Sequence, residues 1–310
     1  MAAAIRIGTC SWADESLSKY FYPPGVKGAE ERLRYYAERF DTVEANSTYY
    51  RLPDREMVQK WADRTPDGFV MHVKAFGVMT RHPVKVEQLP TDLREDAPRD
   101  ERGRVDRPPR EFRAEVFRRF RDALEPLRET RKLGGILMQF PPYVVPKPAS
   151  LDYLEWAHAQ LGADEMLVEF RHASWLDDEH RAETLAFLER NHMTYVIVDA
   201  PRTDARNVLP TVVATTSPTA YVRFHGRNAA TWNKRTRSAA ERFDHLYSDD
   251  ELREWVEPLS ELAGQSETVY AMFNNNGRSD TTTGTIAQAP VNAQMLRSLL
   301  QDAKLPVAVP

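Results

Sequence analysis

The chain has 310 residues, 42% hydrophobic and 28% charged, with 42 Lys and Arg against 46 Asp and Glu for a formal net charge of -4. This near-balance excludes a global attraction to nucleic acid or acidic membranes, so any anion must be met by a local patch, and the length admits one α/β barrel with insertions. Cys10 is the only cysteine, which excludes an intrachain disulfide and a cysteine-cluster metal site. A reducing cytoplasm is the expected compartment, because MAAAIRIGTC lacks the pattern of a secretory leader and no apolar run approaches membrane-spanning length.

In chain order, short β-branched and apolar runs predict eight strands, at 5–9 (IRIGT), 41–46 (DTVEAN), 69–74 (FVMHVK), 135–140 (GILMQF), 166–170 (MLVEF), 194–199 (TYVIVD), 220–226 (AYVRFHG) and 268–274 (TVYAMFN). Segments with a helical apolar period lie between most of them, at 30–40, 55–62, 111–131, 151–161, 178–191, 249–263 and 291–300. Ser248 followed by Glu251 marks a capping box, and the helical pattern is weakest between strands six and seven. Strands alternating with helices predict a closed parallel (β/α)8 barrel of the TIM type, forming a single domain over 1–310, with an open doubly wound sheet as the alternative because periodicity does not show whether the first and last strands meet. The spacing after strand three is too long for a βα repeat and predicts a charged surface insertion at about 79–110. Within it, 90–110 carries six arginines, six acids and four prolines, the composition of a loose solvated loop with little to bury.

A parallel strand covered on both faces should be almost wholly apolar, yet most of these end in polar residues. Residues two apart share a face, which pairs Glu44 with Asn46, His72 with Lys74, Glu169 with Arg171, and Arg223 with His225. Gln139, Asp199 and Asn274 end three other strands. In a barrel these ends meet at the C-terminal mouth, where such barrels carry their active sites. Glu169 is expected as general base and His225 as general acid, with Glu44 and Asp199 orienting them or holding a divalent metal. Lys74, Arg171 and Arg223 would stabilise developing negative charge. A purely structural reading, in which these charges pair to close the mouth, is the competing expectation. Trp12, Tyr49, Tyr50 and Trp175 follow strand ends and offer walls for a sugar or base. Residues 223–242 hold six cations (Arg223, Arg227, Lys234, Arg235, Arg237, Arg242) against Glu241, with Trp232 among them, which suits the phosphate site often found after strand seven. No glycine-rich nucleotide fingerprint occurs, and no cofactor is required by the sequence.

The motifs GTCSW, FYPPG, VEANSTYYRLP, KAF, MQFPPYV, VEFRHASW, YVRFHGR, YSDDELREW and FNNNG with a following APVNA occur in this order. Together they closely resemble the YecE-like family, domain of unknown function 72, from Ile5 to about Leu300. The resemblance implies a TIM-type barrel and a shared polar set: Trp12, Glu44, Asn46, Ser47, Tyr50, Lys74, Gln139, Glu169, Arg171, His172, Trp175, Asp199, Arg223, His225, Gly226, Asn274 and Asn275. It assigns no catalytic role. The chain departs from the pattern at Cys10-Ser11, where the family commonly has Ser-Gly, and in extra residues at 277–287. The leading expectation is an enzyme that cleaves or rearranges a phosphate ester, sugar phosphate or nucleic-acid fragment, with no membrane or obligate protein partner. The alternatives are a glycosidase built on the Glu44 and Glu169 carboxylates, and a non-catalytic receptor for an anion.

Overall fold

The computed structural model describes residues 2–203, 205–232 and 239–310. Strands β1 (Ala4–Thr9), β2 (Thr42–Ala45), β3 (Val70–Lys74), β4 (Leu133–Gln139), β5 (Met166–Glu169), β6 (Thr194–Asp199), β7 (Thr219–Phe224) and β8 (Thr268–Phe273) follow one another around a closed parallel barrel. Closure is made by β1 on β8, in register from Ala4 opposite Thr268 to Thr9 opposite Phe273. This is the TIM barrel expected from the alternating pattern.

Helices α1 (Glu15–Tyr20) and α2 (Ala29–Ala37) follow β1, and α3 (Arg55–Asp63) follows β2. The insertion and then α4 (Arg110–Ala123) and α5 (Glu125–Glu129) follow β3, α6 (Pro148–Leu161) follows β4 and α7 (Arg181–Arg190) follows β5. After β7 come α8 (Ala229–Trp232), α9 (Ala239–Arg242), α10 (Asp249–Arg253) and α11 (Val256–Gln265), and α12 (Gln288–Asp302) ends the fold. Among the described residues no helix joins β6 to β7, where the periodicity is weakest. Ser248 and Glu251 form the reciprocal cap of α10. The extra residues before α12 form a hairpin, β9 (Arg278–Thr281) with β10 (Gly284–Ala287). Among the described residues no helix is long and apolar enough to cross a membrane.

Alternation along the strands separates two apolar cores. Ile5, Ile7, Val43, Val73, Val168, Ile197 and Val222 face the surrounding helices, whereas Leu137, Leu167, Val196, Val198, Tyr221, Tyr270 and Met272 fill the barrel interior. His72 lies deep in this interior, edge-on to the rings of Tyr221 and Tyr270 at centroid distances of 4.8 and 4.3 Å. Neither of its ring nitrogens has a partner. It shares a strand face with Lys74 as expected but sits below the mouth, and burial pushes its pKa down to about 3.

The insertion departs from the expectation of a loose loop. Val86, Leu89, Leu93, Ala97 and Val105 are buried in the outer core. Backbone bridges join Lys85 to Arg104 and Arg99 to Val105, the Arg94 guanidinium donates to the Glu87 and Leu89 carbonyls, and Asp92 pairs with Arg119 of α4 at 2.6 Å. A balance of charge conceals five apolar anchors that are spaced too irregularly to form a periodic signal.

Candidate functional site

The inward positions near the ends of β2, β5 and β7 carry Glu44, Glu169 and Arg223, none with exposed side-chain surface. One guanidinium joins both carboxylates. Arg223 Nη2 lies 2.6 Å from Glu44 Oε1, its Nε donates to Glu44 Oε2 at 3.0 Å, and its Nη1 donates to Glu169 Oε2. The Tyr221 hydroxyl donates to Glu44 at 2.9 Å, and Arg171 Nε reaches Glu169 Oε1 at 3.1 Å. The Asn274 amide lies 2.8 Å from His225 Nδ1, and His225 Nε2 lies 3.1 Å from Glu169 Oε1. With the amide nitrogen facing Nδ1, that nitrogen accepts and Nε2–H donates to the carboxylate.

Burial by itself would raise the Glu169 pKa, but the charges of Arg223 and Arg171, with the hydrogen bond from His225, hold it well below the usual carboxylate range. Burial, reinforced by Arg171 and Arg223, pushes His225 down to about 3 against the pull of Glu169. At neutral pH the base of the mouth therefore holds an ionised Glu169 and a neutral His225. This corrects the expected general base and general acid. The lone pairs of Glu169 are taken by two guanidiniums and an imidazole, and His225 has no proton to give at a reachable pKa. Glu44 and Glu169 likewise share one guanidinium and do not line the cavity that opens above them, so they do not form the open carboxylate pair of a glycosidase.

Above this floor opens a cavity of about 720 Å³ that Lys74, Gln139, Arg171, Asn46, Asn274, Trp12 and Tyr50 all line. Lys74 Nζ donates to Gln139 Oε1 at 2.9 Å and stands 4.8 Å from the Tyr49 ring centroid. Burial, with the nearby Arg223 charge, pushes Lys74 down to about 8, against the opposing pull of Glu169 and Glu44. The Arg171 guanidinium packs 5.4 Å from Trp232 and 5.7 Å from Phe243, ring centroids that hold it in place over Glu169. Asn46 donates to the Cys10 carbonyl at 2.7 Å, and its buried carbonyl oxygen has no partner, as is also true of Asn276 Oδ1 on the same wall. Tyr49, expected with Tyr50 as an aromatic wall, lines the cavity too, and so do Asn276, Phe243 and His82, which were not singled out as site residues from the sequence, where nothing at the residue level separates them from packing groups.

Several expected site residues lie elsewhere. Asp199 faces outward, because its neighbours Val198 and Ala200 occupy the barrel interior. It accepts from the Tyr247 hydroxyl at 3.0 Å, the Trp255 indole at 2.6 Å and Arg227 Nη2 at 2.7 Å, and so ties β6 to the segments beyond β7. Gly226, at φ +89° with His245 Cβ 2.7 Å from where its own Cβ would stand, lets the chain turn there. Trp175 has no exposed surface; it stacks on Phe170 and donates to the Val144 carbonyl, so it packs a loop and walls no ligand. Arg223 is enclosed by its two carboxylates and cannot contact an anion in the cavity.

The basic segment after β7 is also divided. Arg227 pairs with Asp199 and Glu254, Arg242 lines the cavity, and Lys234, Arg235 and Arg237 lie outside the described residues. Trp232 forms part of the cavity wall. A divalent metal, left open from the sequence as an alternative role for Glu44 and Asp199, does not fit these residues or their neighbours Glu169 and His225, since a guanidinium stands between Glu44 and Glu169 and Asp199 faces away. Among the described residues no group of three or more such donors is placed to hold an ion.

The family profile described as "Protein of unknown function DUF72" matches residues 6–309. The chain is 30% identical over 281 residues to UPF0759 protein YunF of Bacillus subtilis (strain 168), covering 89% of this chain and 90% of that protein. Among solved structures it is similar to a DUF72 family protein from Enterococcus faecalis V583, with 25% identity, coverage of 96% and 95%, and a TM-score of 0.76. It is also similar to one from Thermotoga maritima MSB8, with 30% identity, coverage of 96% and 99%, and a TM-score of 0.72.

Proposed function

The chain belongs to the DUF72 family, and on that premise we propose that its barrel mouth binds an anionic substrate, a phosphate ester or sugar phosphate, and acts on it through proton transfer at Lys74. One observation carries the reading. Among the described residues, Lys74, Arg171 and Arg223 of the buried network face two carboxylates, Glu44 and Glu169, with His225 neutral, so one positive charge is in excess. Of the three cations that line the cavity, Lys74 and Arg171 belong to this network. A bound anion supplies the missing charge in a site where partial desolvation strengthens the attraction. Arg242 adds to the field from the wall. Of the two acids at the rim, Asp14 caps α1 and Glu15 pairs with Lys19.

The buried pairs act as scaffold. Glu169 holds the Arg171 guanidinium toward the cavity, and Arg223 keeps Glu169 ionised so that it can do so. Lys74, at about 8, has a proton affinity close to the working pH, which Glu169 and His225 lack, and it is the group placed to give or take a proton. Titration with inorganic phosphate at low ionic strength tests the reading. Lys74→Gln and Arg171→Gln should each weaken binding about tenfold, as loss of one charge-assisted hydrogen bond does. Wild-type affinity should fall with added salt, and fall again as pH rises through about 8 and Lys74 loses its charge. Unchanged affinity in both variants would refute the assignment. The sequestration of Glu169 and His225 also favours a second reading, a non-catalytic anion receptor. In a receptor Lys74→Arg keeps the whole function, whereas an enzyme with that variant keeps binding and loses turnover.

A further inference from the structure

Beside the mouth, on the insertion, a second cavity of about 340 Å³ is lined by Arg81, Arg107 and Arg113, with Tyr143 exposed at its edge and Asp106 its only carboxylate. Among the described residues none of the three arginines forms an ion pair, in a chain whose other surface arginines mostly do: Arg110 pairs with Asp152, Arg104 with Asp100 and Arg119 with Asp92. The Arg113 Nε is buried without a hydrogen-bond partner. Arg81 and Arg113 stand 5.3 and 5.5 Å from the same Tyr153 ring centroid, so two like charges share one aromatic group. Arg81 and Arg107 both adopt left-handed backbone, at φ 66° and 42°, where glycine is the favoured residue. Strain and mutual repulsion are therefore concentrated at one place, a pattern typical of binding sites.

We propose that Arg81, Arg107 and Arg113 form a second oxyanion site, for a phosphate or carboxylate group, that adjoins the mouth across His82. His82 lines both cavities, and its ring lies edge-on to Tyr49, the ring beneath Lys74. An anion there relieves the repulsion between Arg81 and Arg113 and gives the buried Nε an acceptor. The site stands independently of the reading of the mouth. Where both are occupied by one molecule, that ligand carries two anionic groups, one on each side of His82.

The test is calorimetric titration of the full chain with inorganic phosphate at low ionic strength, comparing wild type, Arg107→Gly, Arg81→Gly/Arg107→Gly and Arg171→Gln. Glycine removes the guanidinium and suits the left-handed backbone, so Arg107→Gly should keep or raise the melting temperature while weakening one phosphate site at least fivefold. The double variant should abolish that site. Wild type should show two sites, with Arg171→Gln weakening the other. Phosphate binding in Arg107→Gly and in the double variant equal to wild type overturns the inference, whatever Arg171→Gln does. A single wild-type site lost in the double variant and untouched by Arg171→Gln upholds the inference and removes the reading of the mouth.

Discussion

Replacing Arg223 by Met removes the one group that joins β2 to β5 through the barrel interior. Glu44 is then left with two neutral partners, the Tyr221 hydroxyl and the Cys10 thiol, while Glu169 keeps Arg171 and His225. Both carboxylates have no exposed surface. Breaking a buried pair by removing one partner costs about 3–5 kcal/mol, and the weakened environment of Glu169 adds about 1 kcal/mol. A total near 5 kcal/mol matches the whole stability of many domains, about 5–15 kcal/mol, so the variant should be barely folded at 25 °C. Urea unfolding at pH 7.5 measures the loss. Adding Glu44→Gln removes the stranded charge and keeps an acceptor for Tyr221, and should recover about 2–3 kcal/mol. A loss below about 1 kcal/mol, or no recovery in the double variant, would refute the account of the buried network.

Two further outcomes follow from burial. His72 and His225 are pushed to about 3 in the fold against about 6.5 in the unfolded chain, so the unfolded state binds more protons between these values and stability falls as pH drops through that window. From pH 6.5 to 4.5, before the depressed Glu169 begins to lose its contribution below its unfolded value, each histidine should cost about 2 kcal/mol. His72→Phe should flatten the slope, and a flat wild-type profile would contradict the assignment. Deleting residues 90–108 with a short linker removes the packing of Leu93, Ala97 and Val105, about 4 kcal/mol of apolar burial, and should lower the melting temperature by about 6 °C. An unchanged melting temperature would mean that the insertion contributes nothing to the core.

The barrel was legible because eight apolar runs alternate with helical periods, and the site was legible as a set of polar strand ends. Orientation was harder to read. In a parallel sheet both faces are apolar, so the sequence around Asp199 carries no parity signal, and Val198 and Ala200 turn out to face inward. Depth within the barrel depends on strand tilt and stagger. His72 and Arg223 therefore looked equivalent to Lys74 and Arg171, although one pair is enclosed and the other meets the cavity. Trp175 follows a strand end as Trp12 does, but its ring closes on Phe170 and Val144, a tertiary contact that spacing does not encode.

The central claim is that Lys74 and Arg171 form the anion seat above a closed Glu44–Arg223–Glu169 floor. A crystal of the protein soaked in inorganic phosphate tests it most directly. The account predicts a tetrahedral anion at about 2.7–3.2 Å from both Lys74 Nζ and an Arg171 nitrogen, with Arg223 still bound to both carboxylates. An empty mouth beside phosphate bound elsewhere, or an anion that displaces Glu44 or Glu169 from Arg223, would contradict it.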